Sequence, residues 1–354
     1  MRRAIRPLCL FLLTFTASCS SQPLPPAQAG LYALRLDVPA LVRLDPGSGA
    51  VLAESALDPS AGCVPWSLDP APGGPYAALE LACPGGPLVL LLDLANGETR
   101  PLVETEDSRF LAWAAEGDSL YLRLDSLGTP RIVRAGVNGS LRELPIPGLT
   151  YQLSVSPDGK TIAYAFTEGI GYGSQLWLAD ADGQDPRRLL SEAAGIITFA
   201  SWSPDGQRLA YILMPDSQVP FPNGELWLVN AGDGATRFVA AADAGHGYAF
   251  AWSPDGERIA FVGRDNPDDP QVSQSASALR SNIYLAGLDG SVEPITRFEA
   301  ARVEAPRWSL EGNRLVFRAV SSDGTIHLWV HDLGRGEAVR LTDYPSCCPA
   351  WVGK

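Results

Sequence analysis

The chain has 354 residues with 35 Gly and 30 Pro, a hydrophobic share of 46% and a formal net charge of −13. Punctuation that dense, set among so much apolar material, suits many short strands joined by tight turns. The acidic balance speaks against nucleic-acid binding, which rests on Lys and Arg neutralising phosphates, and its simplest role is to keep a surface soluble.

Taken from the start, Arg2, Arg3 and Arg6 precede the apolar run LCLFLLTF at 8–15. A charged stretch followed by an apolar run too short to span a bilayer reads as a secretory signal. Thr16-Ala17-Ser18-Cys19 resembles a bacterial lipobox, with Thr16 where Leu is usual, and this makes Cys19 the expected lipidation site. The rival A-x-A site at Ala27-Gln28-Ala29 lies behind Pro23, Pro25 and Pro26, far from the apolar run. The division expected is a signal peptide over 1–18, a lipidated Pro-rich tether over 19–30 and one domain over 31–354. Acyl chains on Cys19 would be the sole membrane contact and place the body on the extracytoplasmic face of a bacterial membrane, in the periplasm or at the cell surface.

After position 30 the chain repeats. ASWSPDGQRLAYIL from 200, FAWSPDGERIAFVG from 250 and PRWSLEGNRLVFRA from 306 are close copies, and QLSVSPDGKTIAYAF from 152 is a fourth. With weaker copies near 64 and 111, the marker positions read as Trp66, Trp113, Val155, Trp202, Trp252, Trp308 and Trp351, spaced 47, 42, 47, 50, 56 and 43 residues apart. Each unit offers a short strand ending at the marker, a Ser-Pro-Asp-Gly turn, an alternating strand, a variable loop, a third strand such as 225–228, and a fourth after a second turn. Pro fixes φ and Gly accepts positive φ in that turn. Four strands per unit of this length predict a seven-bladed all-β propeller of four-stranded blades, with six or eight blades as the alternative counts. The marker tryptophans are read as filling contacts between blades.

The W-S-P-D-G turn followed by an alternating strand resembles the TolB-type, WD-like propeller repeat. It is also similar to the propeller domains of prolyl oligopeptidases and dipeptidyl peptidases. The resemblance implies the fold and an envelope setting, and leaves function to sites grafted onto that fold. If the repeats run to the last residue, as expected, they would leave no room for the hydrolase domain of such peptidases.

The N-terminal segment supplies only three strands, at 31–36, 40–45 and 50–54, while 348–352 is a first strand with nothing after it. Together they would make the seventh blade and close the ring. Cys63, Cys83, Cys347 and Cys348 would then gather on one face. A bridge from 347–348 to the 63–83 region is the favoured pairing, and a local Cys63–Cys83 bridge with a vicinal Cys347–Cys348 pair is the other. Zinc is disfavoured because the Cys-x₂-Cys spacing is absent.

No nucleophile elbow, H-E-x-x-H or phosphate loop occurs, so no catalytic residue, metal or cofactor is assigned. Asp158, Asp180, Asp182, Asp205 and Asp255 read as turn caps. The functional candidate is a face. Loops between second and third strands are long on three consecutive blades, at 167–174, 214–224 and 263–281, and the connection 241–250 shares their side. They offer Tyr172, Phe221, His246, Tyr248, Arg264, Asp265, Asp268, Asp269 and Arg280 for a protein, an envelope component or a small ligand. A monomeric, non-catalytic binding or scaffold propeller is the leading expectation. The alternative is a lyase, lactonase or glycan-cleaving enzyme at the ring mouth, with His246 as general base and Asp265 or Arg264 assisting.

Overall fold

The computed structural model describes residues 28–353 apart from 59–61, 104–106, 126–127, 169–172, 193–194, 218 and 244–249. Among these residues 28 strands form seven antiparallel sheets of four, each a blade of a β-propeller ring. Blades 1 to 6 open with first strands Val64–Pro70, Ser108–Trp113, Thr150–Val155, Gly195–Trp202, Ala251–Trp252 and Ala301–Trp308. Blade 7 joins Ser346–Val352 to Gly30–Arg35, Ala40–Leu44 and Val51–Ala56. The closure expected from the sequence is therefore present, with Trp351 opposite Leu31 and Val352 opposite Gly30.

Both faces of each blade are covered, so the second strands are apolar on both sides rather than alternating with polar residues. In Arg208–Pro215, Leu209 and Tyr211 pack toward blade 3 while Ala210 and Ile212 pack toward blade 5. Each neighbouring pair of blades shares one apolar cluster, seven in all. The seam between blades 7 and 1 (Leu34, Leu41, Leu79, Leu81) is built like the others, which makes the ring continuous. Burial of each such side chain contributes about 1.5–3 kcal/mol.

The Ser-Pro-Asp-Gly turns owe their form to local hydrogen bonds. Ser203 Oγ donates to Asp205 Oδ1 at 2.5 Å and accepts the Arg208 N–H at 3.0 Å, while Gly206 N–H donates to the Ser203 carbonyl at 2.9 Å. The Ser hydroxyls hold the corresponding carboxyls of Asp158 and Asp255 below the usual carboxylate range.

The marker indoles bind blade to blade. Trp113 donates to the Asp69 carbonyl at 2.8 Å, Trp202 to Ser154 at 3.2 Å, Trp252 to Ser201 at 3.3 Å and Trp308 to Ala251 at 3.0 Å. Trp113, Val155, Trp202, Trp252 and Trp308 each also face the residue seven positions on, as Trp202 faces Leu209. This register corrects the first repeat. In blade 1 the residue facing its partner seven positions on is Pro70, opposite Ala77. The turn that follows is Ala71-Pro72-Gly73-Gly74, where Gly74 N–H donates to the Ala71 carbonyl at 3.3 Å. Trp66 is thus not a marker; it lies four residues earlier and is 65% exposed.

First strands run from the long-loop face to the turn face. Since Gly30 pairs with Val352 at the end of the last first strand, the N-terminal segment joins the ring at the turn face.

Candidate functional site

The longest loop, 263–281, is not a loose insertion. The preceding strand, Arg258–Arg264, extends to its second residue, and a single-turn 3-10 helix forms at Ala276–Ala278, capped by Ser275. Val272 and Leu279 are buried in the cluster shared with blade 6. Polar ties secure the rest. Asn266 Nδ2 donates to the Ala278 carbonyl at 3.1 Å, Arg302 Nη1 to that of Ala276 at 3.0 Å, and Phe221 N–H to that of Ser273 at 3.1 Å. Loops of blades 4 and 5 are therefore joined across their seam.

Arg264 makes that seam. Its side chain is 1% exposed and lies against the fully buried carboxylate of Asp243, with Nε to Oδ1 at 2.6 Å. Nη2 donates to the carbonyls of Phe221 and Pro222, both at 2.9 Å. Arg264 faces inward as a staple, rather than outward with the other candidates. Phe221 is half-buried beside it.

Asp265 and Arg280 do come together. Asp265 N–H donates to the Arg280 carbonyl at 2.9 Å. Both side chains line an open cleft of about 450 Å³ with Asn282, Tyr284, Arg297 and Glu299. Asn282 is buried and supports the cleft floor, its Oδ1 accepting from Thr296 Oγ1 at 2.7 Å and from Phe298 N–H at 2.8 Å. Tyr284 OH donates to Asp265 at 3.3 Å. Asp268 is exposed, and Asp269 accepts the Gln271 N–H at 2.9 Å as a turn cap. Cys19, Tyr172, His246 and Tyr248 lie outside the described residues. Sequence reasoning missed Asn282, Tyr284, Arg297 and Glu299, since these sit in a strand and a short connection rather than in long loops.

A second cleft, of about 270 Å³, opens between blades 1 and 2 on the same face, lined by Trp66, Glu80, Cys83, Gly86, Pro87 and Arg109. All four cysteines are nearby, as expected, packed in or against the blade 7–blade 1 cluster. Their pairing is Cys63–Cys83 and Cys347–Cys348, so the favoured cross-link between the two regions is replaced by the local arrangement. Cys63 directly precedes the first strand of blade 1 and Cys83 ends the second, with Cα atoms 4.2 Å apart, so the two can bridge without help from blade 7.

Glu80 interrupts the otherwise apolar strand Tyr76–Cys83. Burial, with Asp69 nearby, pushes its carboxyl from 4.5 up to about 7 against the opposing pull of Arg109 and the Phe110 N–H. The folded chain therefore binds this proton more tightly than the unfolded chain, and stability falls as pH rises through the window from 4.5 to about 7. Glu80→Gln is expected to melt with the parent at pH 4 and above it at pH 8, by up to about 3 kcal/mol. Thermal melts at both values check this, and equal midpoints at pH 8 would show that the carboxyl ionises without cost.

No group of three His, Cys, Asp or Glu suited to a metal occurs among the described residues. Asp180 serves its turn, accepting the N–H groups of Asp182 at 2.9 Å and Gln184 at 2.8 Å. His331 is buried, which lowers its pKa.

Comparison with known proteins places the fold. Residues 170–284 match the family described as the dipeptidyl peptidase IV N-terminal region. The Tol-Pal system protein TolB of Bordetella pertussis (strain Tohama I) is 51% identical over 51 residues, which is 14% of this chain and only 11% of that protein. Among solved structures, a TolB from Agrobacterium tumefaciens superposes with TM-score 0.50 at 21% identity, covering 70% of this chain and 86% of that one. An oligogalacturonate lyase in complex with manganese superposes with TM-score 0.61 at 16% identity, covering 89% and 85%. The resemblance read from the W-S-P-D-G repeats is met by these matches. At such identities the solved structures establish the propeller fold alone.

Proposed function

We propose that this chain is an exported binding or scaffold propeller, tied by lipid on Cys19 to the extracytoplasmic face of a membrane. It engages a protein or another envelope component through its long-loop face. The observation that carries this reading is the loop 263–281. It is fixed by its own buried residues and by ties to blades 4 and 6, yet leaves Asp265, Arg280, Arg297 and Glu299 exposed around one cleft. Rigid backbone that presents mixed charge lowers the ordering cost of association. The matched relative's place in a Tol-Pal system supports a partner in the envelope. No helix among the described residues is long and apolar enough to cross a membrane.

The test is capture from envelope extract by the full chain and by an Arg280→Glu/Arg297→Glu variant, which alters exposed side chains only. The parent is expected to retain a defined partner that the variant loses. Identical partners on both would remove the cleft from consideration.

A further inference from the structure

Trp66 differs from the four marker tryptophans that bind blade to blade. Those are buried or half-buried, and each donates its indole N–H to a neighbouring strand. Trp66 is 65% exposed and Val64 beside it 60%. Two features turn the indole outward. A β-bulge falls between Pro65 and Ser67, and bulges re-aim side chains. The hairpin above, from Tyr76–Cys83 to Gly86–Asp93, has a two-residue connection, so no long loop covers blade 1 as loops do on blades 4 and 5. The Cys63–Cys83 bridge then pins the start of the Trp66 strand to that hairpin.

The chemistry around the indole is mixed. Arg109 presents a guanidinium that is 55% exposed, and Glu80 presents a carboxyl whose backbone partner is the Phe110 N–H. A purely apolar occupant would strip water from the exposed Arg109 guanidinium, which pairs with Asp125 at 3.8 Å, and from the Glu80 carboxyl, at a cost. A phosphorylated ligand would enter a chain of net charge −13 with a single arginine lining this cleft. What fits is a ring with one C–H face for the indole and an edge of hydroxyls. Hydroxyls both donate and accept, so they satisfy a guanidinium and a carboxyl together.

We propose that the cleft formed by Trp66, Glu80 and Arg109 is a subsite for one pyranose ring of an uncharged oligosaccharide, stacked on the Trp66 indole with its hydroxyls on Arg109 and Glu80. This site lies between blades 1 and 2 and does not depend on the long-loop cleft of blade 5. The two readings can therefore fail separately.

The experiment is calorimetric titration of the full chain with cellopentaose and with N-acetylchitopentaose. A galacturonate pentamer and a proline-rich peptide serve as comparison ligands. Saturable binding of at least one neutral pentasaccharide is expected, with Kd on the order of 0.1–1 mM. Trp66→Ala should weaken it about tenfold or more, while Trp66→Phe stays within about threefold, because a flat ring remains. Arg109→Ala should weaken it several-fold, and Phe238→Ala, remote on blade 4 and also exposed, should leave it unchanged. Because Trp66 is largely exposed, the alanine variant is expected to keep the parent's melting point, which is measured alongside. Absence of saturable binding to both neutral sugars would overturn the proposal. So would equal affinity in Trp66→Ala, tighter binding of the galacturonate, or Trp66-dependent binding of the peptide alone.

Discussion

Removal of residues 346–354 is expected to abolish cooperative unfolding of the whole ring, not merely to fray one blade. The strand Ser346–Val352 buries Cys347, Cys348, Ala350 and Val352 and sets Trp351 against the blade 6–blade 7 cluster. Its loss would expose Gly30–Arg35 as a bare edge and open both seams of blade 7. At about 1.5–3 kcal/mol for each large apolar side chain, the loss is comparable with the roughly 5–15 kcal/mol by which a folded domain is stable. Circular dichroism and calorimetry of the truncated chain check this. A melt within a few degrees of the parent would show that blade 7 is dispensable.

Asp243→Ala is expected to destabilise by about 3–5 kcal/mol, because it leaves the Arg264 guanidinium buried without its counter-charge. A substitution on the open surface would cost far less, usually within about 0.5 kcal/mol. The double variant Asp243→Ala/Arg264→Met should lie closer to the parent than Asp243→Ala does. It restores an apolar interior while giving up the bonds to the Phe221 and Pro222 carbonyls. Urea denaturation of the single and double variants gives the coupling. A single-variant loss under about 1 kcal/mol would mean that the pair does not hold the seam between blades 4 and 5.

Much of the fold was legible because its turns have strict chemistry. Ser-Pro-Asp-Gly places a hydroxyl, a fixed φ, a carboxylate and a positive-φ residue in one order, so copies at 203, 253 and their relatives stand out. Closure was legible from an unpaired first strand at one end and three strands at the other. Trp66 is a false marker because its Trp-Ser pair lacks the glycine of the turn; Gly73 and Gly74 mark the real turn four residues later. The cysteine neighbourhood followed from topology, but four thiols in one place leave the pairing to local geometry. Arg264 counted as a loop residue because its partner, Asp243, lies 21 positions earlier and on another blade. No local pattern reports such a long-range ion pair. Glu80 carries a usable signal, a lone carboxylate inside an apolar strand.

The chain enters the ring at Gly30, on the side of the Ser-Pro-Asp-Gly turns, and a membrane tether through that end would fix which way the molecule stands. On the proposed anchoring at Cys19, about ten residues, at most some 35 Å of extended chain, would join the lipid to the ring and would arrive from beneath. The disc would then rest with its turns toward the bilayer. Both the Asp265–Arg280 cleft and the uncovered indole would look away from the lipid, open to whatever approaches from the opposite side.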